Sequence, residues 1–554
     1  MALQRMLRHK NNRRAATVVI GVLVLALVLV PVLLSGDNEP PSPLSVPGQR
    51  FVSGVISAPG GVFLRDRFGR VVMLHGVNAV YKRAPFELFP APGKPFNFSE
   101  RDAGRIAALG FNVVRLGMVW QGLEPGTAGP NDPAICRPGP PGDPGQFNQT
   151  VLDSYLSNLK HTVDMLGRRH IYTLLDMHQD VYSELFGGEG APAWAVCTDG
   201  LPTGSMPGRW SRTYTSPALN VAFQHFWRND VVGDLQGEYD RVWAAVASFF
   251  RSDPWVVGYD PINEPFSTVT QDVQQHDLDA QIECLYTGTA RPGRNEDRNL
   301  LVSCPRGDPK IGLIPAILSA DPRHLVFYEP DIFSSRDGPN YVGPMDLPNL
   351  VLNFHAYCPN RSAVTGDPTD LTACVSHETT TVSRRAGERA LLGSDQQAAG
   401  PAWFMGEFGA TSNPSLVEAV TATANQHLVG WAYWQWKFYG DPTGSSHEAL
   451  VGGSDKLTPT ALALSQVFAQ AVAGSPTSMS FDAPSGAFNL SYTPDPAVKA
   501  PTLIVVPRTG HYLHGYCASV SGGTIVSKPG SGTVEVVNQD DSHVDVHVSP
   551  GSCS

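Results

Sequence analysis

The 554-residue chain has no sustained run of lysine or arginine beyond residue 14, and its formal net charge is -11. Nucleic-acid binding needs a basic footprint, so that class of partner is excluded. No Cys-x-x-Cys spacing occurs among its 8 cysteines, and no His-x-x-x-His spacing stands with a cysteine pair to support a structural metal site, so no metal or other cofactor is expected. No repeat of 20 to 50 residues is present, which removes solenoids and propellers. Charged residues make up only 16% against 42% hydrophobic. Such a chain can bury a large core, and its length suits one large α/β domain with one or two smaller pieces. A neutral partner such as a sugar fits this balance.

Positive charge is concentrated at the start, where Arg5, Arg8, Lys10, Arg13 and Arg14 precede an uncharged stretch over 15–35. Residues 1–35 thus have the layout of a signal peptide or signal anchor. The apolar core over 17–34 counts 18 residues, and at about 1.5 Å per residue it approaches the roughly 30 Å of a bilayer core. No small-x-small cleavage site stands before Asp37, which favours an uncleaved anchor. Residues 36–50, dense in proline and serine, read as a linker. The remainder is expected to be extracellular or held at the cell surface, and the even number of cysteines agrees with an oxidising compartment. The parsimonious local pairs are Cys284 with Cys304, Cys358 with Cys374 and Cys517 with Cys553, leaving Cys136 with Cys197, while spacing alone leaves the connectivity open.

Downstream, the segment from Phe51 through Val62-Phe63-Leu64 and Val71-Val72-Met73-Leu74 reads as a hairpin that opens a barrel and covers its amino-terminal end. Apolar β-rich runs then alternate with helical patterns, the mark of repeated βα units and a parallel sheet. Eight strands are expected at 71–79, 112–120, 171–178, 256–264, 324–330, 350–357, 403–408 and 430–438. Helices are expected at 99–109, 151–168, 239–250, 414–426 and 460–472. Two Gly/Pro-rich inserts, 124–147 and 187–216, follow the second and third strands, which places them on the catalytic face as candidate substrate walls. After about Gly474 short alternating segments take over. The expected fold class is therefore α/β: a (β/α)8 TIM barrel over 51–473 with a C-terminal antiparallel β-sandwich over 474–554.

Two glutamates end apolar β-rich runs, Glu264 in Asp260-Pro261-Ile262-Asn263-Glu264-Pro265 and Glu407 in Phe404-Met405-Gly406-Glu407-Phe408. A surface glutamate rarely ends such a run, and both would emerge at the carboxyl ends of barrel strands, where active sites of this fold are built. A retaining glycosidase needs one carboxyl that donates a proton to the leaving oxygen and another, about 5 Å away, that attacks the anomeric carbon ionised. Glu264, in an otherwise apolar run, suits the acid/base, and Glu407 suits the nucleophile if hydrogen-bond donors keep it charged. Asp176 and Asp180 flank His178, an arrangement that could suggest a metal, although carboxylates arranged around sugar hydroxyls account for it without an ion.

The Asn263-Glu264-Pro265 and Gly406-Glu407-Phe408-Gly409 segments resemble the acid/base and nucleophile strands of glycoside hydrolase family 5, and the run from Leu175 to Tyr182, Leu-Asp-Met-His-Gln-Asp-Val-Tyr, is similar to one that marks its endoglycoceramidase branch. The resemblance covers the chain from about Phe51 to its carboxyl terminus. It implies that Arg115 and Tyr357 bond the nucleophile, that Asn263 binds a hydroxyl beside the scissile bond, and that Lys82, His178 and Asp180 line the glycone pocket. It also implies that Trp434, rather than Trp436, is the stacking platform. The implied substrate is a glycosphingolipid met at a membrane surface, cleaved between oligosaccharide and ceramide by a protein that acts as a monomer. Phe186, Trp194, Phe223, Phe226, Trp227 and Phe266 are candidates for an apolar groove that shelters the lipid. A related β-glucosidase acting on sterylglucoside or glucosylceramide, and an inactive carbohydrate-binding surface protein, are the alternatives.

Overall fold

The computed structural model describes most of residues 54–553, leaving out chiefly 59–61, 267–274, 289–303, 305–311, 337–341 and 393–400. The expected signal segment and linker lie outside the described residues, and among the described residues no helix is long and apolar enough to cross a membrane.

Two short strands, β1 (Leu64–Arg65) and β2 (Val71–Val72), form an antiparallel hairpin. Eight parallel strands follow and close into a barrel: β3 (His75–Ala79), β4 (Val113–Met118), β5 (Tyr172–Met177), β6 (Val256–Asp260), β7 (Leu325–Tyr328), β8 (Leu350–Ala356), β9 (Ala402–Phe408) and β10 (Gly430–Tyr433). Every residue in these eight strands is buried. Strands of a parallel barrel are covered on both faces, which is why they read as unbroken apolar runs rather than alternating ones. The acids within such runs stand out for the same reason.

All eight expected strands are present, but the first is divided. Val71–Val72 pairs with a strand from the carboxyl-terminal part of the chain, and only from His75 does the backbone join its barrel neighbours β4 and β10. Below the barrel, Ile56, Leu64, Val72 and Leu74 pack with Val113, Leu174, Val257, Phe327 and Phe404 from the lower barrel, so the amino-terminal segment plugs the end opposite the site.

The carboxyl-terminal sheets use β11 (Phe468–Val472), β12 (Gly474–Asp482), β13 (Ala487–Pro494), β14 (Thr502–Val505), β15 (Tyr516–Ser521), β16 (Gly523–Ile525), β17 (Thr533–Asn538) and β18 (Val544–Pro550). One sheet has the order β1-β2-β11-β14-β17-β16 and the other β12-β13-β18-β15. Their inner faces share a core of Phe488, Leu490, Tyr492, Ile504, Val534 and Val546. Two expectations are corrected. The helix expected over 460–472 ends at Ala463, and its second half is β11, because a short apolar run serves as a strand wherever sheet neighbours, here β2 and β14, are available to pair with it. Strand β15 was not anticipated, since its half-exposed sequence YCASVS carries little apolar signal.

Four disulfides join Cys136 to Cys197, Cys284 to Cys304, Cys358 to Cys374 and Cys517 to Cys553, the same pairs that parsimony suggests. The first ties together the two inserts on the catalytic face.

Candidate active site

Glu264 lies four residues beyond the end of β6, and Glu407 is the penultimate residue of β9. A carboxylate oxygen of each comes within 4.8 Å of the other and of a nitrogen of His355. The His355 Nδ1 is 2.9 Å from Glu264 Oε1 and 3.6 Å from Glu407 Oε2. That separation leaves no room for a water between carboxylate and sugar, as an inverting enzyme requires, and matches the closer spacing of a retaining pair. Glu264 holds a left-handed φ of 40°, and its N–H donates to Glu329 Oε2 at 2.8 Å. A non-glycine residue in that region stores strain that the surroundings must hold, and such positions cluster where a side chain has to be aimed.

Arg115, on β4 and fully buried, organises the floor of the site. Its guanidinium donates to Glu407 Oε1 at 2.6 Å, Asp260 Oδ2 at 2.8 Å, Asp176 Oδ1, Asn263 Oδ1 and Glu329 Oε1 each at 2.9 Å, and Asn78 Oδ1 at 3.1 Å. Burial works against its charge, but the surrounding carboxylates outweigh burial and hold the proton more tightly than usual. His355 is similar: burial opposes protonation, while Glu329, Glu407 and Glu264 raise its basicity well above the ordinary histidine range. Glu329 is lowered, since His355, Arg115 and the Glu264 N–H together outweigh burial. Asp176 is pushed up to about 7 by burial, with Arg115 opposing. Glu407 is likewise pushed up to about 7 by burial against the pull of His355 and Arg115. Its two donors, Arg115 and the Tyr357 hydroxyl at 2.9 Å from Oε2, both favour the charged form.

Beside the pair, Lys82 Nζ lies 2.5 Å from Asp180, 3.3 Å from Asp441 and 3.7 Å from Glu189, and 4.4 Å from the centre of the Trp434 ring. Burial opposes its charge too, but Asp180, Asp441 and Glu189 more than compensate. His178 stacks on Trp434 with ring centres 5.2 Å apart and bonds Asp176 Oδ2 through Nδ1 at 2.7 Å. Burial and the nearby Lys82 keep this histidine neutral. The His178, Asp180 and Glu189 donors could hold a metal by spacing alone, but the Lys82 ammonium already supplies the cation there.

Lys82, His178, Asp180, Asn263, Glu264, Tyr357, Glu407 and Trp434 all line one cleft that opens to solvent. Trp436 instead is buried, its indole N–H on Asp102. Trp194 is a correction: it is fully buried, edge-on to Trp120 with its indole N–H on the Glu124 carbonyl, and lines no part of the cleft. Phe186, Phe223, Phe226, Trp227 and Phe266 are buried as well, forming the core beneath the loops rather than an open groove. Large aromatics in loops draw their stability from such burial, so their presence in an insert does not mark a binding surface. The aromatics that face outward here are Trp210, on the cleft wall, and Phe333, 36% exposed and packed on Phe266. Of the two inserts, the second contributes Arg209, Trp210 and Ser211 to the wall, and no residue of the first is among the cleft residues.

Asp260, Glu329, His355 and Glu189 were missed as site residues. Glu329 offered the same signal as Glu264, an acid ending an apolar strand run before a proline. Asp260 and His355 sat inside segments already singled out.

Residues 84–440 match the family model described as Cellulase (glycosyl hydrolase family 5), and 467–549 match the glycoside hydrolase family 5 C-terminal domain. The chain belongs to glycoside hydrolase family 5. Among its family 5 relatives, Endoglycoceramidase I of Rhodococcus hoagii is 29% identical over 511 residues, covering 89% of this chain and 88% of its own. An Endoglycoceramidase of Hydra vulgaris is 27% identical over 485 residues, covering 82% and 80%. The solved structure of Endo-glycoceramidase II from Rhodococcus sp., as a lactosyl-enzyme intermediate, superposes with a TM-score of 0.65 at 25% identity, covering 88% of this chain and all of that one. This chain is thus a glycoside hydrolase whose paired carboxylates suit retention.

Proposed function

We propose that this protein is a retaining endoglycosidase that hydrolyses the β-glycosidic bond between the oligosaccharide and ceramide of glycosphingolipids. Glu407 attacks the anomeric carbon while Glu264 protonates the ceramide oxygen; the glycosyl-enzyme ester then yields to a water that Glu264 deprotonates. Arg115 and Tyr357 stabilise the charge that returns to Glu407 as the ester breaks. Asn263, His178, Lys82 and Asp180 bind the sugar, with Trp434 as the platform. Residues 51–473 supply all of these groups, and 474–554 buttress the barrel.

The observation that carries this reading is the glutamate pair within 4.8 Å in a cleft whose wall also includes Lys82, His178, Asp180, Trp434 and Glu448. Relatives bearing the endoglycoceramidase name over nearly the full length support the lipid substrate, and Trp210 and Phe333 give the acid/base side an apolar rim. Four disulfides support export, and in this reading the protein acts as a monomer that meets its substrate at a membrane surface. Mass spectrometry of products from ganglio-, globo- and galacto-series glycolipids tests the proposal: intact oligosaccharide and free ceramide are expected, and release of monosaccharide alone overturns it.

A further inference from the structure

The cleft wall beside Trp434 includes two loops, one after β8 that contributes Ser362, Val364 and Gly366, and one after β10 that contributes Thr443, Gly444, Ser445 and Glu448. They are joined at several points. Ser445 Oγ donates to the Thr365 carbonyl at 2.7 Å and His447 Nδ1 meets Asp367 Oδ2 at 2.8 Å, while the other Asp367 oxygen accepts from Thr411 Oγ1 at 2.9 Å and the Ser412 N–H at 2.7 Å in the loop after β9. Within this wall Glu448 is 7% exposed, and its Oε2 accepts from the Trp434 indole N–H at 3.1 Å. Its backbone is fixed as well, with the N–H on the Ser445 carbonyl and the carbonyl on the Gln435 N–H.

The carboxyl of Glu448 is seated between two glycines. A Cβ at Gly366, whose φ is 77°, would stand 2.8 Å from Oε1, and one at Gly444 would stand 2.8 Å from Oε2. Any side chain at either position would displace the carboxyl or cover it. Two absent side chains on facing loops therefore leave this one group at the edge of the platform. The loop that carries it also carries Thr443, whose hydroxyl donates to Asp180 at 2.6 Å. Glu448 accordingly lies with the Lys82, Asp441 and Asp180 group, assigned above to the sugar.

We infer that Glu448 determines glycone specificity by hydrogen-bonding the hydroxyls of the second sugar, so that the cleft reads a disaccharide or longer chain rather than a single residue. The inference rests on the endoglycosidase reading above. Burial pushes the Glu448 carboxyl up to about 8, so in mildly acid or neutral solution it is uncharged and offers one donor and one acceptor, the complement of a sugar hydroxyl pair. An amide of the same length offers both roles too.

The test uses the full chain with an aryl β-lactoside and the matching aryl β-glucoside, read as the ratio of their kcat/KM values. Wild type should prefer the lactoside. Glu448→Ala should lower the ratio about tenfold, the scale of one or two lost hydrogen bonds, and Glu448→Asp, which withdraws the carboxyl by one methylene, should lower it as well. Glu448→Gln should keep most of the preference. Because the ratio cancels losses common to both substrates, damage to Trp434 or to folding yield does not imitate the effect. Absence of a lactoside preference in wild type, or ratios in the Ala and Asp variants equal to wild type, overturns the inference. Should the Ala variant not fold, the comparison of Asp with Gln decides. Intact oligosaccharide release from a glycolipid by wild type is scored separately, so the endoglycosidase reading can stand while the role of Glu448 falls.

Discussion

Replacing Arg115 by methionine removes the one guanidinium that faces Asp176, Asp260, Glu329 and Glu407 from the barrel floor. Both sides of each pair are at most 6% exposed, so water cannot substitute for the lost donor. Breaking a buried ion pair from one side costs about 3–5 kcal/mol. With an unfolding entropy of about 2.1 cal/mol/K per residue over roughly 500 residues, near 1 kcal/mol/K, the melting temperature should fall by about 3–5 °C. The pH dependence is the sharper test. In the wild type, burial holds Asp176 and Glu407 at about 7 in the fold, above their ordinary range when unfolded. Between those values the folded state carries protons that the unfolded state has released, so stability falls as pH rises, by about 1.4 kcal/mol per unit per group, and stops falling above about pH 7. Arg115 opposes both upward shifts. Without it both groups titrate higher, so their part of the loss continues past pH 7 only in the variant, while groups common to both proteins cancel in the comparison. Scanning calorimetry from pH 6 to 8.5 should show the gap in melting temperature widening by about 2–3 °C for two groups moved one unit each. A gap that stays constant across that range would refute the assignment of Arg115 as the charge that sets these carboxyls.

Three further outcomes are expected. Tyr357→Phe removes a donor that favours the charged form of Glu407, so the acid limb of the kcat/KM profile should move to higher pH by about one to two units, since a hydrogen bond to a charged group is worth about 1.5–3 kcal/mol; an unmoved limb would show that Tyr357 does not act through Glu407. Cys136→Ser together with Cys197→Ser opens a loop with a sequence separation of 61, and denaturant titration should register a loss of about 4 kcal/mol by the loop-entropy relation. Prolonged dialysis against EDTA should leave hydrolysis rates unchanged, because the cation among Asp180, Glu189 and Asp441 is the Lys82 ammonium; a loss restored by one divalent ion would show otherwise.

The barrel was legible because its strands are covered on both faces and therefore contrast with every surface segment. Glu264 and Glu407 were legible for the same reason, as acids at the ends of those strands. What misled was the chemistry of covered surface in loops. Trp194 and Phe226 have the composition of a lipid groove, yet they pack with Trp120 and Tyr239 into a core under the inserts. Composition reports how much apolar area a segment must hide, and only the fold reports whether a ligand or the protein hides it. Residues 460–472 failed for a similar reason, since helix and strand bury a short apolar run equally well and the free edge of β2 decided between them.

Charge balance links these readings to function. Asp176, Asp260, Glu329, Glu407 and Glu264 crowd a floor whose cations are Arg115 and His355. Five acids against two cations cannot all be ionised without large cost, so protons must be distributed among them. Burial assigns a proton to Asp260 most strongly, while His355 and Arg115 draw Glu329 to the charged state. Glu329 in turn anchors the strained Glu264 backbone through its N–H and meets His355 Nε2 at 3.2 Å. The acid/base is thus aimed by a residue whose charge depends on the same two cations that face the nucleophile. A change at either cation therefore reaches both halves of the double displacement, which no pairwise account of Glu264 and Glu407 would predict.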